Sequence, residues 1–258
     1  AIAGYEKAMT TEYSCLDSYY KQASNYYLIK KPFISLERYD ELQKLAPNYN
    51  QVHYNRGIIF LNLKEQAKIN NNPEEIEKFR AEALKELEKS YILNPYFVPT
   101  VLGLSGVYQE YERLNDAEKI LLKVYIVTEE LLDTLTGSGD IRAISSSKRT
   151  LNEVGNLRKL TFELLRIYKK QMDVNNFQLT LLRSENNFKK VYSSIKDKMQ
   201  RFDSIYKDSP DEHKANLKKS VNILVNLIRY LEHYLQELKQ YEDVLDQRMQ
   251  EYEELQKE

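Results

Sequence analysis

Residues Glu82–Pro95 read EALKELEKSYILNP, and they set the frame for a repeating pattern. Ala83 is followed 34 residues later by Ala117, and Leu87 is followed by Leu121 at the same distance. Small and large apolar residues therefore recur at one fixed step, on helix-forming sequence that ends in Asn-Pro. A period of this length predicts a stack of helical hairpins, each burying its apolar face against its neighbours.

The composition of the 258-residue chain predicts an all-α protein. Glycine (7) and proline (6) are scarce, and Leu, Glu, Lys and Gln dominate long segments without strand-like alternation. The net charge of −1 does not predict a nucleic-acid or membrane partner for the chain as a whole. No apolar run approaches the ~20 residues of a membrane span. The single cysteine, Cys15, excludes an internal disulfide and fits the cytoplasm and the periplasm equally, so the compartment stays open.

Laid out in 34-residue frames, residues 1–131 resemble the tetratricopeptide repeat (TPR) family. The matching positions are Tyr19, Ala23, Tyr26, Ser35, Tyr39, Leu42 and Pro47 in the first frame, His53, Gly57, Phe60, Ala83, Leu87, Ser90 and Pro95 in the second, and Val101, Ser105, Tyr108, Ala117, Leu121 and Val124 in the third. The resemblance implies a repeat domain over residues 1–135, with a half-repeat before three full repeats. Because Ala1, Tyr5 and Ala8 match a second repeat helix, we expect the sequence to have lost an N-terminal part, such as a signal or an anchor.

The middle repeat carries 14 additional residues, because Lys64 and Glu82 stand 18 apart where the family spacing is four. The inserted segment includes Asn72 and Pro73, residue types that cap a helix and occupy its first turn. We therefore predict two helices, each longer by a turn or more, that project beyond the array. The residues offered for recognition by this projecting hairpin are Ile69, Asn72, Ile76 and Phe79, and the three apolar ones are expected to pack together.

The family resemblance implies a partner-binding groove lined by first-helix positions. In this chain those positions are Tyr20, Ser24, Tyr27, Tyr54, Asn55, Ile58, Leu61 and Asn62. A tyrosine-rich and moderately apolar groove suits a helix or an extended peptide with apolar anchors from another protein. The competing interpretation is that these tyrosines pack between helices. One TPR subclass holds chaperone tails with a Lys/Asn/Lys/Arg clamp, of which only Asn55 is matched, so such partners are disfavoured.

The second half of the chain follows a different rhythm. Gly137 and Ser145–Ser147 interrupt the helical pattern and predict a linker at residues 136–148, before a helical domain at 149–258. From Leu217 to Tyr252 the apolar residues are spaced alternately three and four apart, which is typical of a coiled coil.

Two arrangements of this second domain are open. In the preferred one, a helix over about 150–207 folds back at Pro210 onto residues 211–257 as a long antiparallel coiled-coil hairpin. The charges favour such pairing, because residues 142–207 carry a net +9 and residues 208–258 a net −5. The alternative is a break near Asn175 and a three-helix bundle.

No catalytic or metal-binding motif is present in the sequence. His53, His213 and His233 are far apart, and there is no metal-ligand spacing, phosphate loop or nucleophile elbow. We predict neither an enzyme nor a cofactor, metal or small-molecule substrate. The predicted function is a scaffold that binds another protein through the TPR groove, the coiled-coil arm or both. A structural homo-oligomer built on the coiled coil, or a nucleic-acid binder using the basic 142–207 segment, are the alternatives.

Overall fold

The computed structural model describes residues 16–138 and 144–255, and these residues form ten helices without a strand. The helices are α1 (Leu16–Leu28), α2 (Pro32–Leu45), α3 (Asn50–Ile69), α4 (Pro73–Leu93), α5 (Val98–Glu110), α6 (Leu114–Ser138), α7 (Ile144–Gln171), α8 (Val174–Gln200), α9 (Phe202–Asp208) and α10 (Asp211–Leu255). The all-α prediction is confirmed, and within these ranges no helix is both long and apolar enough to cross a membrane. The predicted opening half-repeat, with Cys15, lies outside the described residues.

Four helix pairs, α1–α2, α3–α4, α5–α6 and α7–α8, are joined by the same kind of turn. The left-handed residue of each turn is Lys30, Asn71, Glu112 or Met172, with φ between 52° and 59°. The backbone N–H of the next residue donates to a carbonyl five residues earlier, in the pairs Lys31–Tyr26, Asn72–Ala67, Arg113–Tyr108 and Asp173–Tyr168. This arrangement satisfies the last carbonyls of the first helix and reverses the chain. The recurring unit is therefore a helical hairpin, and α7–α8 is a fourth example of it.

The small residues of the 34-residue register stand where two helices of a hairpin come close. A Cβ atom placed on Gly57 would lie 2.7 Å from Cγ of Leu87, a separation that real atoms do not adopt. In the first hairpin, the Ser35 hydroxyl donates to the Ala23 carbonyl at 2.7 Å, so the side chain itself bridges α2 and α1. The register observed in the sequence thus reflects helix-to-helix distance.

The predicted lengthening of the middle hairpin is confirmed. Helices α3 and α4 have 20 and 21 residues, whereas α1 and α2 have 13 and 14. The side chain of Asn72 accepts a hydrogen bond from the N–H of Glu75 at 3.2 Å, and Pro73 opens α4 as its first residue. Each helix is longer by about seven residues, which adds about 10 Å to the hairpin.

The apolar residues of this extension do not all pack together. Phe79 is buried and its ring stacks on Phe60 with centroids 6.4 Å apart, and Ile76 packs against the same core. Ile69 is 80% exposed, so its predicted contact with the other two is wrong. The last turn of α3 presents Ala67 to the core instead, because Ile69 lies on the opposite side of the helix axis.

The C-terminal half has a helix break at Met172, which the preferred prediction did not include. The single helix expected over about 150–207 is wrong, since the left-handed Met172 ends α7 and Asp173 caps α8. The Asp173 carboxylate accepts a hydrogen bond from the N–H of Asn176 at 3.0 Å. Helices α7, α8 and α10 each contact the other two, so the alternative three-helix arrangement is the one observed.

The chain divides into two compact units, Ala1–Ile120 and Leu121–Glu258. The division falls inside α6, whereas the sequence places the end of the repeat domain at residue 135. Of the predicted linker, the described residues 136–138 and 144–148 are helical. The predicted domain boundaries stay predictions.

The second unit has its own core, which includes a buried cluster of hydroxyl groups. Leu157, Leu160 and Leu164 are fully buried. The hydroxyl of Ser184 lies 2.9 Å from that of Tyr125 and 3.0 Å from that of Thr161, which links α8 to α6 and α7. Because each of these hydroxyls has a partner, the cluster is accommodated inside an apolar core.

Candidate partner-binding faces

A hydrogen-bonded cluster joins the first three helices. The side-chain N–H groups of Asn55 donate to the hydroxyls of Tyr20 and Tyr39, both at 2.9 Å. The hydroxyl of Tyr39 also lies 2.8 Å from that of Ser24, and Tyr39 is only 1% exposed. Burial raises the pKa of Tyr39 to about 12, which keeps its hydroxyl neutral. Three of the predicted groove residues therefore use their polar groups to hold α1, α2 and α3 together.

Two further ring contacts involve predicted groove residues of α1 and α3. The ring of Tyr20 lies 5.8 Å from that of Tyr49, and the ring of Tyr54 meets Phe97 edge to face at 5.3 Å. Burial raises the pKa of Tyr54, whose hydroxyl makes no hydrogen bond to any residue that the structure describes. The hydroxyl of Tyr54 is thus available to a partner.

The remaining predicted groove residues lie further along α3. Ile58 and Leu61 are half-buried, while Asn62 is exposed and donates only to the carbonyl of Ile58 at 2.8 Å. Next to Ile58, helix α5 carries Gly103, and one turn on Gly106 has no atom within 4 Å of an added Cβ. Leu87 and Ile58 therefore cover Gly103, whereas the backbone of α5 is open at Gly106. We call Tyr54, Ile58, Leu61, Asn62, Gly103 and Gly106 the α3/α5 face.

Tyr27, another of the predicted groove residues, lies near the end of α1. It is half-buried and packs against the core formed by α1 to α4. Burial raises the pKa of its hydroxyl. Tyr27 thus contributes to packing, and the binding role predicted for the eight groove residues stays a prediction.

A buried network of ionisable side chains between α3 and α4 was not predicted from the sequence. Nδ1 of His53 lies 2.7 Å from Oε2 of Glu86, and both side chains are buried. Arg56 approaches the same carboxylate at 3.3 Å and also pairs with Asp40. Burial raises the pKa of Glu86, but the hydrogen bond with His53 and the charge of Arg56 outweigh it, so the pKa lies below its usual value. His53 therefore packs in the repeat core, as its frame position indicates.

Leucines of the heptad pattern in the C-terminal helix pack in the core of the second unit. Leu217, Leu224, Leu231 and Leu238 are buried in the packing of α10 with α7 and α8. Arg158 of α7 forms two hydrogen bonds to Glu237 of α10, at 2.8 and 2.6 Å, which is a charge pairing between the basic and acidic segments. Self-association through these four leucines would require them to leave that core.

Within residues 16–138 and 144–255, no group of three or more His, Cys, Asp or Glu side chains is arranged to hold a metal ion.

No family model matches the chain, and no curated protein matches it in sequence. A thermophilic TPR protein of Thermus thermophilus, TTC0263, is 16% identical over 72% of this chain and 80% of its own, with a TM-score of 0.45. YrrB, a TPR protein with an unusual peptide-binding site, is 12% identical over 72% of this chain and 93% of its own, with a TM-score of 0.40.

A monomeric mutant of IFIT1, solved with Gppp-AAAA, is 16% identical over 94% of this chain, with a TM-score of 0.52. The chain spans 49% of the length of that IFIT1 chain. The fold likeness thus includes the C-terminal half, where a fourth hairpin follows the first three. The protein has a TPR-like helical repeat fold, as the 34-residue register predicts.

Proposed function

We propose that this protein is a non-enzymatic interaction scaffold, which holds a segment of a partner protein against the α3/α5 face. The observation that carries the proposal is the stripe of half-buried Tyr54, Ile58 and Leu61, with the ring of Tyr54 packed edge to face on Phe97. Because the contact with Phe97 restrains the Tyr54 ring before binding, less conformational entropy is lost at this side chain when a partner arrives. Rigid, half-exposed aromatic and aliphatic side chains are the usual anchors of protein interfaces.

The chemistry of the face favours an apolar helix as the bound segment. Tyr54, Ile58 and Leu61 lie four and three residues apart on α3, so they form one stripe along the helix. The open space around Gly106 leaves room for partner side chains to approach α5. None of the residues of the face is charged, which suits apolar anchors better than a carboxylate tail. The amide of Asn55, the only match to the chaperone clamp, is already engaged by two tyrosines.

The test is affinity capture from the native cell with the full chain, followed by mass spectrometry. The double variant Tyr54→Ala/Leu61→Ser removes two anchors of the face. Ile92→Ser is the matched control, because Ile92 is a large apolar residue on α4 that is 78% exposed and lies outside the face. We expect the double variant to lose a partner that the control retains, by about tenfold or more in recovered amount.

Circular dichroism of each variant establishes that it is folded before capture. Equal recovery of every partner by the double variant and by the control would refute the α3/α5 face as the main binding surface.

A further inference from the structure

The outer face of α7 carries a row of basic side chains. The helix contains seven Lys/Arg and two Glu, a net charge of +5. Val154, Leu157, Leu164 and Tyr168 are buried and mark its inner face. At about 100° per residue, the exposed residues Lys148, Lys159 and Arg166 fall on the opposite side, with Lys169 beside them. We call these four residues the basic stripe, and it is roughly 30 Å long.

The charge of the basic stripe is not neutralised within the described part of the chain. Lys148, Lys159 and Lys169 have no ion-pair partner there, and Arg166 approaches Glu163 only at 3.9 Å with its side chain 63% exposed. Glu237 of α10 reaches α7, where it pairs with Arg158 at 2.6 Å.

Several exposed lysines elsewhere in the protein are paired within one helical turn. Lys21 lies 2.5 Å from Asp17, Lys189 lies 2.7 Å from Glu185, and Lys68 lies 2.9 Å from Glu65. The basic stripe contrasts with these pairs, so an external anion would add interactions that the chain itself does not supply.

A glycine lies on the same side of α7, between Lys148 and Lys159. Gly155 has no atom within 4 Å of the position that a Cβ would occupy. A glycine inside a helix costs about 1 kcal/mol relative to alanine. No neighbour among the described residues requires the missing side chain, whereas a bare backbone lets another helix approach closely.

We infer that the outer face of α7 binds an acidic helix of a partner protein, which crosses α7 at Gly155 and places carboxylates against Lys159 and Arg166. The spacing of the basic residues favours a helical partner. Lys159 and Arg166 are seven residues apart, and a partner helix also presents residues seven apart on one face, at the same distance along its axis. Arginine and lysine on such a row select the partner by charge. This surface uses no residue of the α3/α5 face and does not depend on it.

The probe is a synthetic alanine-based helix of about 25 residues. Its Glu residues are spaced like the basic side chains, eleven residues apart for Lys148 and Lys159 and seven for Lys159 and Arg166. The control peptide has Gln in place of each Glu. Binding of each labelled peptide to the full chain is measured by fluorescence anisotropy at low and high salt. We expect the Glu peptide to bind, and to weaken as salt screens the charges. Lys159→Glu/Arg166→Glu is expected to weaken it by about tenfold or more.

Two further variants separate charge from shape. Lys196→Glu/Lys219→Glu makes the same change in net charge at exposed positions on α8 and α10, and it is expected to leave the affinity within about twofold. Gly155→Leu fills the crossing point without changing charge, and it is expected to weaken binding by about tenfold, since a large side chain holds the helices apart. Gly155→Ala, which favours the helix, controls for folding.

The proposal is overturned if the Glu peptide does not bind, or if the Gln peptide binds equally well. It is also overturned if the stripe variant binds like the Lys196/Lys219 control. A single-stranded oligonucleotide of about 20 nucleotides is tested in parallel. If it binds more tightly than the Glu peptide and loses affinity in the stripe variant, the surface belongs to nucleic acid and the acidic-helix proposal fails.

Discussion

Replacing Gly57 with alanine tests the closest helix contact of the repeat half. The new Cβ would lie 2.7 Å from Cγ and 2.9 Å from Cδ2 of Leu87. Leu87 is fully buried, and its methyl groups already lie 3.5 to 3.6 Å from the Cβ position of Gly103, so it is held between α3 and α5. It therefore cannot move aside without disturbing a second contact.

The size of the effect follows from two opposing terms. Alanine gains about 1 kcal/mol over glycine from helix propensity. Forcing an extra carbon into a packed core costs about 1–3 kcal/mol. Gly106→Ala is the matched control, because Gly106 is also in a helix interior of the same unit but has open space around it. We expect Gly106→Ala to raise the free energy of unfolding. The free energy of unfolding of Gly57→Ala is expected to be about 1–3 kcal/mol lower than that of Gly106→Ala.

Urea denaturation followed by circular dichroism measures both values, since the chain has no tryptophan for fluorescence. Combining Gly57→Ala with Leu87→Ala removes the clash, so in that background the alanine at position 57 is expected to stabilise. If Gly57→Ala stabilises the protein as much as Gly106→Ala does, the close approach of α3 and α4 is refuted.

Three further predictions address the buried network, the ion cluster and the helix break. Asn55→Ala is expected to lower the free energy of unfolding by about 1–3 kcal/mol, because the hydroxyl of buried Tyr39 loses a donor. Asn62→Ala, at an exposed position, is the control. Equal effects of the two variants in a denaturation assay would contradict the hydrogen-bonded cluster around Asn55. The pKa of Glu86 is lower in the folded state than its usual 4.5, so its stabilising contribution is present above that pH and is lost as the pH falls through the folded pKa. Denaturation curves between pH 6 and pH 3 are therefore expected to show a smaller loss for Glu86→Gln than for the unmodified protein, and a larger loss for the variant would contradict the assignment. Met172→Gly is expected to raise the melting temperature, since Met172 holds a positive φ of 57° and is 83% exposed; a continuous helix would instead be weakened by glycine, so a lower melting temperature would refute the break.

The helices and their register were predictable because the features that define them are local. Asn72 and Pro73 begin α4 through a cap and a fixed backbone angle, and neither depends on distant residues. Gly57 was assigned to a helix crossing from its place in the 34-residue frame, and the structure puts Leu87 directly against it. Repetition helped further, because the same small and apolar positions recur in successive frames.

The candidate face was predictable only in part. The sequence placed Tyr20, Asn55 and Tyr54 on first-helix positions, but it could not tell which polar groups were already engaged. Asn55 bonds to tyrosines that precede it by 35 and 16 residues, and such pairings depend on how the hairpins are stacked. The pairing of His53 with Glu86 was missed for the same reason, since it joins two helices of one hairpin across 33 residues.

The sequence by itself determined the helical class, the hairpin repeat around Glu82–Pro95 and which side of each C-terminal helix is apolar. It did not determine what covers that apolar side, because residues spaced three and four apart mark any helix with one buried face. Tertiary structure decided that α10 packs on α7 and α8 and that the chain breaks at Met172. A periodic pattern reports burial along one helix, while the choice of neighbour depends on contacts between residues far apart in the chain.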